Sequence, residues 1–130
     1  MDPTQSKHGH FSWNELATTD PAAATEFYTE LFGWTTQDFP NPEFNYTVVR
    51  QKGEEMGQGG IMPIPPNAKG MPPAWISYVT VDDVDASAKL AEKLGGKIVV
   101  PPTDIPNVGR FSVIQDPQGA AISIITYLKQ

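Results

Sequence analysis

Residues 20–33, DPAAATEFYTELFG, return as residues 83–96, DVDASAKLAEKLGG, at a constant offset of 63. Phe27 matches Leu90, Leu31 matches Leu94 and Gly33 matches Gly96, so helix start, apolar stripe and helix stop recur together. Asp20 can accept hydrogen bonds from first-turn amides, Pro21 sits where its missing N–H costs nothing, and Gly33 can take the left-handed conformation that ends a helix. Asp82 or Asp83 does the capping in the second copy. Ala24, Phe27, Tyr28 and Leu31 fall at i, i+3, i+4 and i+7, which predicts one apolar stripe laid on a sheet; Ser87, Leu90, Ala91 and Leu94 hold the same places in the repeat. Each repeat is about half of 130 residues and too small to fold well alone, so the two are expected to share a core and enclose one bilobed site.

Working outward, a strand over Phe11–Thr18 precedes the first helix, and strands over Trp34–Phe39, Tyr46–Arg50 and about Gln58–Met62 follow it, with KGEE at 52–55 as a hairpin turn. The segment 63–73, PIPPNAKGMPP, denies helix and interior strand alike and reads as a semi-rigid connector. The second half repeats the order: strand Trp75–Val81, helix about Val84–Leu94, strands Lys97–Val100, Arg110–Gln115 and Ala121–Tyr127, with DPQG at 116–119 as a strong turn. The predicted fold class is α+β, with two βαβββ modules, about 10–62 and 74–128, in a single domain over 1–130. Residues 1–10, which include Lys7, His8 and His10, show no hydrophobic period and read as a mobile tail.

Hydrophobic residues make up 39% and charged residues 18%, a globular balance, and no apolar run approaches the roughly 20 residues a membrane helix needs. The first dozen residues lack the pattern of a secretory signal, and no cysteine is present for disulfides or thiolate metal sites, so a soluble, cytoplasmic protein is expected. A net charge of -6 with scattered Lys and Arg opposes binding to nucleic acid. Gly57, Gly59 and Gly60 lack the spacing and following helix of a nucleotide loop and read as flexible strand entry.

The doubled unit resembles the vicinal oxygen chelate superfamily, which holds glyoxalase I, bleomycin resistance proteins and ring-cleaving dioxygenases. The resemblance is carried by FYTELFGW at 27–34, VDDVDASAKLAEKLGG at 81–96, PPTDIPNVGRFSVIQDPQG at 101–119 and AISII at 121–125, and covers nearly the whole chain. It implies two curled sheets around a cavity, a divalent metal held there by His and Glu side chains, and a homodimer that can exchange modules. Carried onto this chain, the four ligand positions fall on Trp13, Gly60, Ile76 and Ser123, none of which is an imidazole or carboxylate. No metal and no cofactor are therefore expected.

The cavity that remains would be lined by Trp13, Glu15, Ile76, Tyr78 and Ser123, with Phe111 or Tyr46 from neighbouring strands: aromatic walls with polar tips, suited to a small-molecule ligand. The competing reading makes Trp13, Ile76 and Phe111 ordinary core. Glu15 shares a strand face with Trp13, and Tyr78 is its counterpart by the offset, so these two are the catalytic candidates. Pointing inward, Glu15 would be a general acid or base, or an anchor for a cationic ligand; pointing outward, it is a surface charge. Arg110 is either an anion contact at the cavity rim or a solvated strand end. Three functions follow: a metal-independent binding protein of the bleomycin-resistance kind, a glyoxalase-like lyase, isomerase or dioxygenase with altered chemistry, or a dimeric structural or regulatory protein with a filled cavity.

Overall fold

The computed structural model describes residues 6–40, 44–68 and 70–128, with Asn67 described in its backbone alone. Two compact units emerge: one comprises Trp13–Ile76, and the other joins the residues before Trp13 to those from Ser77 onward.

The first unit contains most of β1 (Phe11–Thr18), then α1 (Pro21–Phe32), β2 (Thr35–Pro40), β3 (Asn45–Arg50) and β4 (Gly57–Pro63). Asp20 accepts the Ala23 amide at 3.0 Å, Pro21 opens the helix, and Gly33 closes it at φ 73. β2 pairs antiparallel with β3 and β3 with β4, whereas β4 returns parallel beside β1, with Glu15 opposite Gly60 and Leu16 opposite Ile61. Alternation along these strands sends Leu16, Val49 and Ile61 to one side, where Ala24, Tyr28 and Trp34 cover them.

The second unit repeats the plan with β5 (Ala74–Thr80, from Ser77 on), α2 (Val84–Lys93), β6 (Lys97–Ile105), β7 (Gly109–Gln115) and β8 (Ala121–Tyr127). Here Asp83 caps the helix through the Ala86 amide. β6, β7 and β8 run antiparallel in turn, and β8 lies parallel to β5, with Tyr78 opposite Ser123 and Val79 opposite Ile124. Both pairs stand 63 residues beyond their counterparts in the first unit, so the offset holds in the strand register itself. Val81, Val84, Ala88 and Ile124 form the core under α2, with Ile98 and Ile114 against it. The Asp116 carboxylate closes the DPQG turn by accepting the Gln118 and Ala120 amides.

Four expectations need correction. The stripe of α1 is rotated: Ala24 and Tyr28 face the sheet, but Phe27 and Leu31 are 59% and 57% exposed. In α2 the small residue Ala88 and Val84 make the contact, which leaves Leu90 and Leu94 52% and 68% exposed. β6 runs on through Pro101 and Pro102 to Ile105, because its register with β7 shifts around Val100 and lets the prolines miss the ladder. Finally, residues 8–10 are tied down rather than mobile: the Gly9 amide donates to the Thr80 carbonyl, the Thr80 amide to the His10 carbonyl, and the Asp82 amide to His8 Nδ1. The Asp82 carboxylate lies 3.7 Å from the same His8 nitrogen.

Ile61→Ala should lower unfolding stability by about 2–5 kcal/mol in urea titrations, whereas Leu90→Ser should stay within about 0.5 kcal/mol. Equal losses would contradict the rotated helix faces.

Candidate functional site

With Leu16, Val49 and Ile61 committed to α1, the alternate residues of the same strands share the other face: Trp13 and Glu15 on β1, Tyr46 and Val48 on β3, Gly60 on β4. Three of them join in a chain of hydrogen bonds. The Trp13 indole Nε1 donates to the Tyr46 hydroxyl at 2.9 Å, and that hydroxyl donates to Glu15 Oε2 at 2.7 Å. All three side chains are half-buried. Glu15 therefore points into a polar cluster rather than straight to solvent.

The glycines of β4 make room for it. A Cβ on Gly60, which lies opposite both Glu15 and Val48, would overlap the Tyr46 hydroxyl and ring. One on Gly57 would overlap a Val48 methyl and press on the Trp13 ring. Clearance for aromatic side chains, not flexible strand entry, is what these positions require. Tyr46 appeared in the sequence only as an alternative wall; its central place follows from cross-strand register, which spacing along the chain does not reveal. The alternation of glycines with the aromatic residues of β1 and β3 was the available signal.

The predicted site residues divide between the units. Trp13 and Glu15 meet as described, and Ile76 is the last residue of the same unit, half-buried on β5. Tyr78, Phe111 and Ser123 belong to the other: Tyr78 and Ser123 are buried register partners, and the Tyr78 and Phe111 rings lie 6.5 Å apart between centroids. The proposed catalytic pair, Glu15 and Tyr78, is split in the same way. On the same face of the second unit the Ser12 and Tyr127 hydroxyls share a 2.8 Å hydrogen bond. The residues at the four family ligand positions do not fit a divalent metal: indole, hydrogen, an aliphatic chain and one buried hydroxyl offer no imidazole or carboxylate, and the space a side chain at position 60 would take is filled by Tyr46. Among the described residues no three His, Cys, Asp or Glu come together as a metal-binding group.

Arg110 proves to be a paired strand end. Its guanidinium grips Asp85 through two nitrogens at 2.8 and 3.0 Å and Asp104 through the third at 3.0 Å. It lines an open cleft of about 530 Å³ with Asp82, Asp83, Tyr127 and Leu128, but its fork is already engaged. The hydrogen bond from Arg110 holds the Asp85 carboxyl below its ordinary 3.8, and the two aspartates push the guanidinium higher still. Because the folded-state value of Asp85 is depressed, its contribution is present above pH 3.8 and is lost as pH falls through the lower folded value. Asp85→Asn should therefore flatten the acid limb of stability below pH 4, a small effect that salt suppresses, readable in urea titrations across that range.

Gly60→Ala should cost about 1–3 kcal/mol and shift tryptophan emission, since the added methyl must displace Tyr46 from Trp13. Gly109→Ala should be harsher, because its Cβ would meet the backbone carbonyl of Thr126 rather than the end of a side chain. An unchanged emission spectrum in the first variant would exclude Tyr46 from this position.

Comparison with known proteins accords with this architecture. The sequence profile of the Glyoxalase/Bleomycin resistance protein/Dioxygenase superfamily matches residues 7–124. CFP32 of Mycobacterium tuberculosis, provisionally named a glyoxylase, is 42% identical over 124 residues, covering 93% of this chain and 47% of that protein. The anthracycline biosynthesis protein DnrV of Streptomyces peucetius is 34% identical over 132 residues, covering 93% and 48%. The chain thus spans about half the length of these curated relatives. In fold it is similar to methylmalonyl-CoA epimerase from Mycobacterium tuberculosis, with a TM-score of 0.64 at 18% identity over 99% of this chain and 94% of that one. It is similar also to the Streptomyces coelicolor epimerase in complex with 2-nitronate-propionyl-CoA, at TM-score 0.65 and 16% identity over 95% and 100%. By profile, by relatives and by fold, the chain belongs to the Glyoxalase/Bleomycin resistance protein/Dioxygenase superfamily.

Proposed function

We propose that this chain binds a small aromatic molecule on the sheet face that carries Trp13, Glu15 and Tyr46, without the divalent metal typical of the superfamily. The observation that carries the reading is the chain of hydrogen bonds from Trp13 through Tyr46 to Glu15. A half-buried carboxylate held by a phenol, flanked by an indole, combines apolar contact area with a fixed polar point, the usual make-up of a small-molecule site. We assign Tyr78, Phe111 and Ser123 the same role on the equivalent face of the second unit, and Ile76 an apolar contact on β5. A homodimer and a cytoplasmic location belong to the same proposal.

A glyoxalase-like lyase, isomerase or dioxygenase is the second reading, and the 2.7 Å hydrogen bond that orients Glu15 is what favours it. A carboxylate fixed in this way could act as general base toward an acidic proton of a bound substrate, with Tyr78 as the second candidate group. The printed names of the relatives, glyoxylase and anthracycline biosynthesis protein, make polycyclic aromatic compounds and small carbonyl compounds the first probes.

Titration with a panel of polycyclic aromatics should change tryptophan emission, and Trp13→Phe should abolish most of that change while leaving Trp34 and Trp75 in place. Elemental analysis of the purified protein should find well under one equivalent of Zn, Ni, Fe or Mn per chain. A full equivalent of any of them overturns the metal-independent reading, and a panel with no responder overturns ligand binding.

A further inference from the structure

The offset of 63 reappears at the surface. Phe27 and Leu31 on α1 are more than half exposed, and so are their equivalents, Leu90 on α2 and Leu94 at its C-cap. The members of each pair are four residues apart, so they stand one above the other as a short apolar ridge. Both units leave such a ridge in water, at the same helical position, and the chain does not cover either one itself. On α1 the ridge rests on other rings. Phe27 meets Tyr28 edge-on at 5.1 Å between centroids, and Phe32, the exposed residue after Leu31, leans on Trp34 at 4.9 Å. Rings held in this way lose little freedom when a partner docks on them.

The charges beside the ridges select the occupant. Glu26 and Glu30 immediately precede the ridge residues of α1, and Lys89 and Lys93 hold the same two places on α2. All four are exposed, and none forms a salt bridge among the described residues. Lys89 is close enough to Asp85 to favour its ionised form, but that carboxylate is already held by Arg110. Glu92, two residues from each ridge residue of its helix, lies on the other side of that helix. One ridge is therefore flanked by carboxylates and its equivalent by ammonium groups. Two α1 helices brought together would set like charges against each other, as would two α2 helices, whereas α1 against α2 sets opposite charges together. The charged pair flanks the ridge on the same side of both helices, and an antiparallel crossing is the one that brings those sides together. The surface complementary to this chain is thus carried by a second copy of it.

We propose that α1 of one copy docks antiparallel on α2 of a second copy, with Phe27 and Leu31 against Leu94 and Leu90, Glu26 paired to Lys93 and Glu30 to Lys89. This rests on the homodimer proposed above and names its surface; ligand binding on the sheet face does not depend on it. A contact built on one helix pair is at the small end of specific interfaces, so association is to be sought at about 10–200 μM chain.

The test begins with the unaltered chain, which needs no variant to fold. Carbodiimide coupling of an equal mixture of unlabelled and heavy-isotope-labelled chains should join the α1 peptide of one isotope to the α2 peptide of the other, through Glu26 or Glu30 and Lys89 or Lys93. Sedimentation equilibrium then reads the variants. The double reversal Glu26→Lys with Glu30→Lys should weaken self-association about tenfold, although it reduces the net charge of -6 and so lowers the general repulsion between copies. Lys89→Glu with Lys93→Glu should weaken it as much, and an equal mixture of the two double variants should associate within about threefold of the unaltered chain. Leu31→Ser should weaken association about tenfold through the ridge alone. All these positions are exposed, so the fold should persist, as circular dichroism would show. A dimer that gives no mixed-isotope coupling between these peptides, or that is indifferent to both reversals, overturns this surface while the homodimer stands. A chain that stays monomeric at about 200 μM overturns the homodimer and this inference with it.

Discussion

Each unit depends on one pairing: its last strand returns parallel beside its first. In the first unit this sets Glu15 against Gly60, and in the second Tyr78 against Ser123. A parallel return demands a crossover, and the helix between β1 and β2, or β5 and β6, occupies the face that the crossover covers. Once the pairing register is set, alternation decides every other strand residue, because a slip of one would exchange the two faces. Leu16 and Ile61 then lie side by side under α1, Val79 and Ile124 are paired at the equivalent register in the repeat, and the residues next to them are left for chemistry.

That division explains why polar groups can accumulate on a half-buried surface at tolerable cost. A carboxylate removed from water without partners is expensive, and Glu15 is given a phenol at 2.7 Å. The phenol is oriented by the indole of Trp13, and the whole arrangement occupies volume that glycines on β4 decline to fill. In the second unit the equivalent pair is a buried tyrosine beside a buried serine, so the two copies of one scaffold hold different chemistry at the same register.

Much of this was legible in the sequence because it depends on local rules. Asp20, Pro21 and Gly33 mark helix ends by backbone chemistry that acts within a few residues, and the DPQG turn does the same. The offset between Asp20 and Asp83 carried the doubled topology, and in three dimensions it reappears as matched strand register. What escaped the sequence was rotational and cross-strand. Phe27 and Leu31 satisfy a helical period as well as Ala24 and Tyr28 do, and the period alone does not say which edge of the stripe meets the sheet. Tyr46 lies 31 residues from Glu15, and only pairing through β4 brings them together.

The anchoring of residues 8–10 on Thr80 and Asp82 makes the second unit discontinuous in sequence. Its opening segment is synthesised first, yet its partners lie some 70 residues downstream, so a nascent chain must hold that segment unpaired until β5 has emerged. β1 is therefore a shared thread: its first two residues belong to the later-made unit and the rest to the earlier one. Completion of the second unit is thereby coupled to residues 8–10, a long-range closure within that unit.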